Sequence, residues 1–221
     1  MIFIKKQTAI IISIIVIVFL IVKFTGVLSS YRMTTTTMAP RLAINSTVII
    51  TNLSNIELKD LVVLQSDKLP EFAIFRVVAK ENDTVLIENG VFYRNGIKAD
   101  NFDLAHSYKF PLSQYHKLKQ SEKFYDDFGL NGKINDSAMM HISDKLANSF
   151  NLERLLHEKE YTDKYIHKEY GKQWNKDNFG PLVVPNNKFF VLGDNRDNSF
   201  DSRYIGLIDK KEIIGEMIFD Y

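Results

Sequence analysis

The chain has 221 residues, enough for one large domain or two small ones with a real core. Apolar residues make up 45% and charged residues 25%, which excludes a disordered or collagen-like chain. Lys and Arg number 28 against 27 Asp and Glu, so a net charge of +1 argues against nucleic-acid binding, and the absence of cysteine excludes disulfides, thiolate zinc sites and a cysteine nucleophile without fixing the compartment.

The N-terminus opens Met1-Ile2-Phe3-Ile4-Lys5-Lys6 and then runs from Ala9 to Val22 with Ser13 as its one polar residue. Those residues alone fall short of the ~20 that a spanning helix needs. Phe24 to Leu28 continues the apolar character past Lys23, whose aliphatic stem lets its charge reach the interface, so Ala9–Leu28 is the expected span. The two lysines ahead of it favour a cytoplasmic N-terminus with the bulk of the protein on the far side. A cleaved secretory signal shares this pattern, but Thr25-Gly26-Val27-Leu28-Ser29-Ser30 is a poor small-x-small cleavage site. A buried core helix would be amphipathic, and this stretch is apolar all round. The expectation is an uncleaved signal anchor in residues 1–30, holding the chain in the cytoplasmic (inner) membrane through lipid contact.

A threonine-rich segment, Met33-Thr34-Thr35-Thr36-Thr37-Met38-Ala39-Pro40, follows. Strands are predicted at Ser46–Thr51, Asp60–Leu64 and Phe72–Ala79. A hairpin joins Thr84–Glu88 to Val91–Arg94 through Asn89-Gly90, and Asn95-Gly96 offers a second tight turn. Short strands at this density imply a mainly β protein with an antiparallel sheet, its first part in residues 31–100.

The character changes over about residues 101–176, which hold all five histidines and the single tryptophan. Ser143 to Tyr170 reads as helical, with Ser143 as N-cap and Leu146, Phe150, Leu155 and Leu156 near helical spacing. His106, His116, His141, His157 and His167 are irregularly spaced, form no metal-binding motif and read as solvated surface histidines. Tyr161, Tyr165 and Trp174 fit small-core packing or an interface better than base stacking. A β block returns at Leu182–Leu192, and Ile213–Phe219 is expected as a closing strand. The organisation is thus a β core, completed by residues 177–221, split by an α/β insertion.

The most specific string is Gly193-Asp194-Asn195-Arg196-Asp197-Asn198-Ser199-Phe200-Asp201-Ser202-Arg203, directly after the apolar Lys188–Leu192. Its carboxylates, guanidinia and hydroxyls can satisfy each other by charge-assisted hydrogen bonds and hold a loop rigid beside a site. Taken alone, the string also fits a solvated turn. It closely resembles the C-terminal signature of type I signal peptidases, Gly-Asp-Asn-Arg-Asp-x-Ser-x-Asp-Ser-Arg. The run-in Asp177-Asn178-Phe179-Gly180-Pro181 is similar as well.

That resemblance implies a β-rich signal-peptidase fold on one transmembrane helix, with the active domain on the extracytoplasmic side. The family cleaves signal peptides from exported preproteins, and no cofactor is implied. Its nucleophile lies in Ser-Met-x-Pro-Thr-Leu, which corresponds here to Thr37-Met38-Ala39-Pro40-Arg41-Leu42. Thr35 then matches the hydroxyl that helps line the oxyanion hole. The family's Arg-Gly-Asp-Ile-Val-Val-Phe is similar to Leu58–Leu64. Its general-base lysine, in Lys-Arg-Val-Val-Gly-x-Pro-Gly-Asp-x-Val, falls on Phe75 of Phe75-Arg76-Val77-Val78-Ala79-Lys80-Glu81-Asn82-Asp83-Thr84-Val85. By the same resemblance Arg76 pairs with Asp194, Ser199 sits beside the base position, and Asp201 and Arg203 brace the site.

Both dyad positions are therefore substituted. A serine–lysine dyad needs a buried, neutral amine to accept the hydroxyl proton, and phenylalanine has no acceptor. Thr37 keeps a hydroxyl, but its β-methyl restricts χ1 and crowds the approach to a carbonyl. Lys80 lies five residues from Phe75, an odd separation that points to the other face of a regular strand. Three functions follow: a family member with weakened or lost catalysis that still binds export substrates or a partner, a working peptidase using Thr37 with an unidentified base, or a membrane-anchored interaction module.

Overall fold

The computed structural model describes residues 2–121, 132–134 and 136–221. Helix α1 (Ile2–Thr25) ends where Gly26, at φ +65°, takes the left-handed conformation that closes a helix. The expected span to Leu28 is corrected accordingly, because Leu28 already opens strand β1 (Leu28–Arg32), which pairs antiparallel with β2 (Thr47–Thr51). Ile10, Ile11, Ile12, Ile14 and Ile15 of α1 are 55–62% exposed. The longest unbroken run of described side chains on α1 is Gln7–Val18, and among the described residues no helix is long and apolar enough to cross a membrane.

Strands β3 (Leu61–Leu64) and β4 (Ala73–Lys80) follow, then the meander β5 (Thr84–Glu88), β6 (Val91–Arg94) and β7 (Ile97–Lys98). Asn89 and Gly90 (φ +48° and +71°) make the first two-residue turn, and Asn95 and Gly96 (φ +55° and +76°) the second. Both are the left-handed pairs that Asn-Gly supplies at low cost. Next come β8 (Ala105–Pro111), α2 (Tyr115–Ser121), β9 (Gly132–Ile134), β10 (Ser137–Ser143), α3 (Asp144–Ser149), β11 (Glu153–Arg154) and α4 (Lys164–Tyr170). The chain closes with β12 (Phe179–Val183), β13 (Lys188–Leu192), α5 (Ser202–Ile205), β14 (Ile208–Asp209) and β15 (Ile213–Asp220).

A seven-stranded sheet runs β1-β2-β15-β3-β4-β13-β14, and two four-stranded sheets run β12-β5-β6-β7 and β11-β8-β10-β9. The fold is mainly β, as the density of short strands and turns predicts. Strand β4 is buried on both faces. Ile74 joins Met33, Met38 and Val63 in one cluster, while Phe75 joins Val62, Leu64, Val77 and Val191 in another. Alternation along the strand thus lets β4 serve two cores.

Two expectations about the middle segment change. The single helix over Ser143–Tyr170 is two short helices with β11 between them. Ser143 does cap α3, its Oγ accepting from Leu146 N–H at 3.2 Å. Beyond it Asn151, at φ +52°, turns the chain, and Glu153 and Arg154 pair with Lys109 and Tyr108 of β8. Arg154 also donates to the Gly90 carbonyl at 3.2 Å, so long-range pairing overrides local helix preference. Asp163 restarts the helix by accepting from Tyr165 and Ile166 N–H, and Gly171 ends it at φ +65°.

The histidines are not uniformly solvated. His106 is 2% exposed with Nδ1 2.6 Å from Asp144 Oδ1, and His141 Nδ1 lies 2.9 Å from Ser107 Oγ. The β8–β10 ladder pairs His106 with Ile142 and Ser107 with His141, and the same stretch of β8 receives Asn195 at Ala105 and Asp197 at the Ser107 N–H. His157 is half-buried, His167 is exposed, and the His116 side chain lies outside the described residues. Trp174 packs on Phe179 at 4.7 Å, whereas Tyr161 and Tyr165 are 49% and 52% exposed.

Candidate active site

The Met33–Pro40 segment leaves β1 and folds back as a turn, with Met38 fully buried. Residues 193–198 grip its backbone. Asn195 N–H donates to the Thr37 carbonyl at 2.9 Å, Asn195 Nδ2 to the Thr36 carbonyl at 3.2 Å, and Asn198 Nδ2 to Thr36 Oγ1 at 2.8 Å. The Thr37 side chain is half-buried. Among the described residues the one hydrogen bond its hydroxyl makes is from Thr35 Oγ1, at 3.1 Å. The two hydroxyls are thus paired with each other.

The β13–β4 ladder ends at Leu192↔Arg76, so Gly193 leaves the sheet level with Phe75. A methyl group on Gly193 would meet Ser199 Oγ, would lie 2.6 Å from Ser199 Cβ and 2.7 Å from the Thr37 carbonyl oxygen. Glycine is what lets strand, turn and loop converge here. Ser199 is 9% exposed, and its Oγ has no hydrogen-bond partner among the described residues. Phe75, 2% exposed, fills an apolar slot rather than facing Thr37 with any proton acceptor.

Two buried guanidinium–carboxylate pairs hold the loop. Arg76 Nε and Nη2 donate to both oxygens of Asp194 at 2.8 and 2.5 Å, Nη1 donates to the Lys59 carbonyl at 2.9 Å, and the guanidinium lies 4.3 Å from the Phe102 ring centroid. Arg203 Nε and Nη2 each donate to Asp201 at 2.8 Å. Burial opposes the Arg203 charge, but Asp201 on both oxygens outweighs it and raises the guanidinium above its ordinary range. Asp201 Oδ2 also accepts from Gly193 N–H at 3.1 Å, which ties this pair to the convergence point.

Lys80 is elsewhere. Its Nζ lies 2.6 Å from Glu57 Oε2, and that partner raises its pKa, opposite to what a general base requires.

Several groups that order the site were not singled out from sequence. Asn195, Asn198 and Gly193 lie within the quoted string, so their signal was present without an assigned task. Lys176 and Asp100 carried none. Lys176 Nζ bridges Asp177 and Asp197 at 2.7 and 2.6 Å, and Arg196 Nη2 meets Asp100 at 2.6 Å. Burial pushes Asp197 up, but Lys176 and the Ser107 N–H at 2.7 Å help to hold it well below the usual carboxylate range.

Beside this turn lies a groove of about 770 Å³. Ser30–Thr35 form one side, Val63, Ala73 and Ile74 the base, and the loop from Gln65 to Phe72 the outer wall. Strand β1 is the last of its sheet, so among the described residues its outer edge has no strand neighbour.

An antiparallel β protein with a hydroxyl-bearing turn, a buried ionic loop and an adjacent groove is the class these features define. The model of the family "Signal peptidase, peptidase S26" matches residues 4–221, and the chain belongs to that family. Signal peptidase I of Buchnera aphidicola subsp. Baizongia pistaciae is 52% identical over 50 residues, covering 23% of this chain and 16% of that protein. Signal peptidase I P of Bacillus subtilis subsp. natto is 45% identical over 69 residues (25% and 37%), and signal peptidase I S of Bacillus subtilis strain 168 is 59% identical over 44 residues (20% and 24%). The chain thus spans well under half the length of these relatives. A signal peptidase I crystal structure from Enterococcus faecalis V583 matches with a TM-score of 0.38 and 19% identity, covering 75% of this chain and 98% of that one.

Proposed function

We propose that this protein binds the signal peptides of exported preproteins as extended strands in the groove beside Thr35, and that its hydrolytic step is lost or severely weakened. The observation that carries this is the pairing of a buried phenyl ring at position 75 with a Thr37 hydroxyl whose described hydrogen bond comes from another hydroxyl. Among the described residues no basic side chain is hydrogen-bonded to the Thr37 hydroxyl, and loss of a general base costs about two to four orders of magnitude in rate. Strand addition needs main-chain groups and side-chain pockets, which outlast a dyad. The free edge of β1 and the groove floor of Val63 and Ile74 support that mode. Thr37 holds the nucleophile position and Phe75 the base position, while Arg76, Asp194, Ser199, Asp201 and Arg203 brace the turn. The exposed isoleucines of α1 support an anchor in the cytoplasmic membrane, with residues 31–221 on the far side.

The test uses purified full-length protein in lipid with a labelled preprotein. The expected result is saturable binding with no cleavage above the buffer control. Turnover at enzymatic rates that disappears in Thr37→Ala overturns the assignment.

A further inference from the structure

The groove's outer wall is the loop joining β3 to β4, and its attachments are unequal. Every residue of that loop from Gln65 to Phe72 except Lys68 faces the groove. Lys68 does not line the groove; its Nζ makes two bonds elsewhere, 2.6 Å to Glu169 Oε1 on α4 and 2.7 Å to the carbonyl oxygen of Ile205, the last residue of α5. Gly206 leaves room for this clasp, since a methyl there would strike Glu169 Oε1 and lie 3.2 Å from Lys68 Nζ. Its φ of +85° suits glycine for a second reason. The remaining ties are slight: Gln65 N–H to the Glu212 carbonyl at 2.9 Å, the Leu69 side chain on the cluster around Phe75, and an edge contact of Phe72 with Tyr31 at 5.0 Å.

We infer that Lys68 and Glu169 are specificity-determining positioning residues: their clasp fixes how far the Gln65–Phe72 wall stands from Ile74, and so which side chains an extended peptide can place in the groove. This gives the inserted segment, through α4, a say in substrate choice, and it rests on the proposed peptide binding. An exposed loop with few buried contacts opens locally at low free-energy cost. The side chains of Lys68 and Glu169 are 51% and 28% exposed, so their pair contributes little to global stability. Its effect is therefore confined to the wall it holds. Without the clasp the wall relaxes outward, small side chains lose their contacts, and large ones are admitted.

Lys68→Met and Glu169→Gln each remove the ion pair while keeping most of the side-chain volume, and Lys68→Arg retains it. For each protein, fluorescence anisotropy gives affinities for a signal peptide ending in Ala-x-Ala and for its Leu-x-Leu counterpart, and hydrogen exchange reports the amides of residues 65–72. We expect faster exchange in those amides for the two disrupting variants alone. The preference for Ala-x-Ala should fall about three- to fivefold, the range that a partly exposed ion pair can supply. Thermal midpoints should stay close to wild type. An unchanged preference overturns the inference, whether or not exchange accelerates. Wild-type protein that binds neither peptide removes the proposed substrate and the selectivity with it; accelerated exchange would then locate the failure in the substrate reading rather than in the clasp.

Discussion

On the proposed reading, Phe75 takes the place of a general base without disturbing its surroundings. The ring is buried among Val62, Leu64, Val77 and Val191, an environment that also suits the methylene stem of a lysine. Ser199 Oγ, buried and without a partner among the described residues, is left as an acceptor near the level of Gly193. An amine placed at position 75 would lose its proton readily, because burial lowers the lysine pKa from ~10.4. Combining Thr37→Ser with Phe75→Lys should therefore raise preprotein cleavage by roughly two to four orders of magnitude over the parent. The rate should rise with pH as the amine deprotonates and then level off. Phe75→Met with Thr37→Ser, which fills the slot with no base, should remain inactive. A folded lysine double variant with no cleavage would mean that the groove no longer presents a scissile bond.

Elements were legible where a local rule and the tertiary fold agree. Asn89-Gly90 demanded two left-handed residues and received them, so the flanking strands fell at Thr84–Glu88 and Val91–Arg94 as the sequence predicts. The Ser143–Tyr170 helix failed because nothing local announces that Glu153 and Arg154 will pair with β8. Strand β1 was hidden for a different reason: its first residue extends an apolar run that reads as membrane helix, and the break is made by Gly26 alone. The signature string was visible as chemistry, but Gly193 looked like a turn residue. In the structure it is a packing requirement at the end of β13. Gly193→Ala should cost about 1–3 kcal/mol by overpacking against Ser199 and the Thr37 carbonyl. Urea unfolding would measure this, with Ser199→Gly as a second change. Two of the three contacts belong to Ser199, so the double variant should recover part of the loss. Independent, additive effects would show that the close approach is relieved elsewhere.

At the scale of the whole molecule, the middle segment and Asp100 just ahead of it are bolted to the signature loop by charges whose partners lie far apart in sequence. Asp197 joins Lys176 and the Ser107 N–H, Arg196 joins Asp100, and Arg203 Nη1 reaches the Lys176 carbonyl at 3.4 Å. No single-sequence pattern links Asp100 or Lys176 to residues 193–203, which is why this contact was illegible. It also sets the acid response. Burial lowers the pKa of His106 despite its bond to Asp144, with Arg154 lowering it further and Asp197 raising it. His141 is lowered by burial and by Lys176 and His106 against Asp197. In the unfolded chain both take up protons near pH 6.5, while the folded protein resists doing so. The unfolded state therefore binds more protons below that pH, and stability falls as pH drops from 6.5 towards the folded values. Asp197 adds a second window of the same sign. Its folded pKa is depressed, so its contribution is present above ~3.9 and is lost as acid is added below that. Urea midpoints measured from pH 8 down to pH 3 should hold steady, decline below about 6.5, and decline again below about 4. His106→Gln, neutral at every pH, should reduce the first decline to the share of His141 and leave the second. Asp197→Asn should lower stability at neutral pH, because Lys176 and the Ser107 N–H lose a charged partner, and should flatten the second decline while deepening the first, since both histidines lose a carboxylate that favours their protonation. A first decline that survives undiminished in the His106→Gln/His141→Gln double variant would place the sensing groups outside this junction.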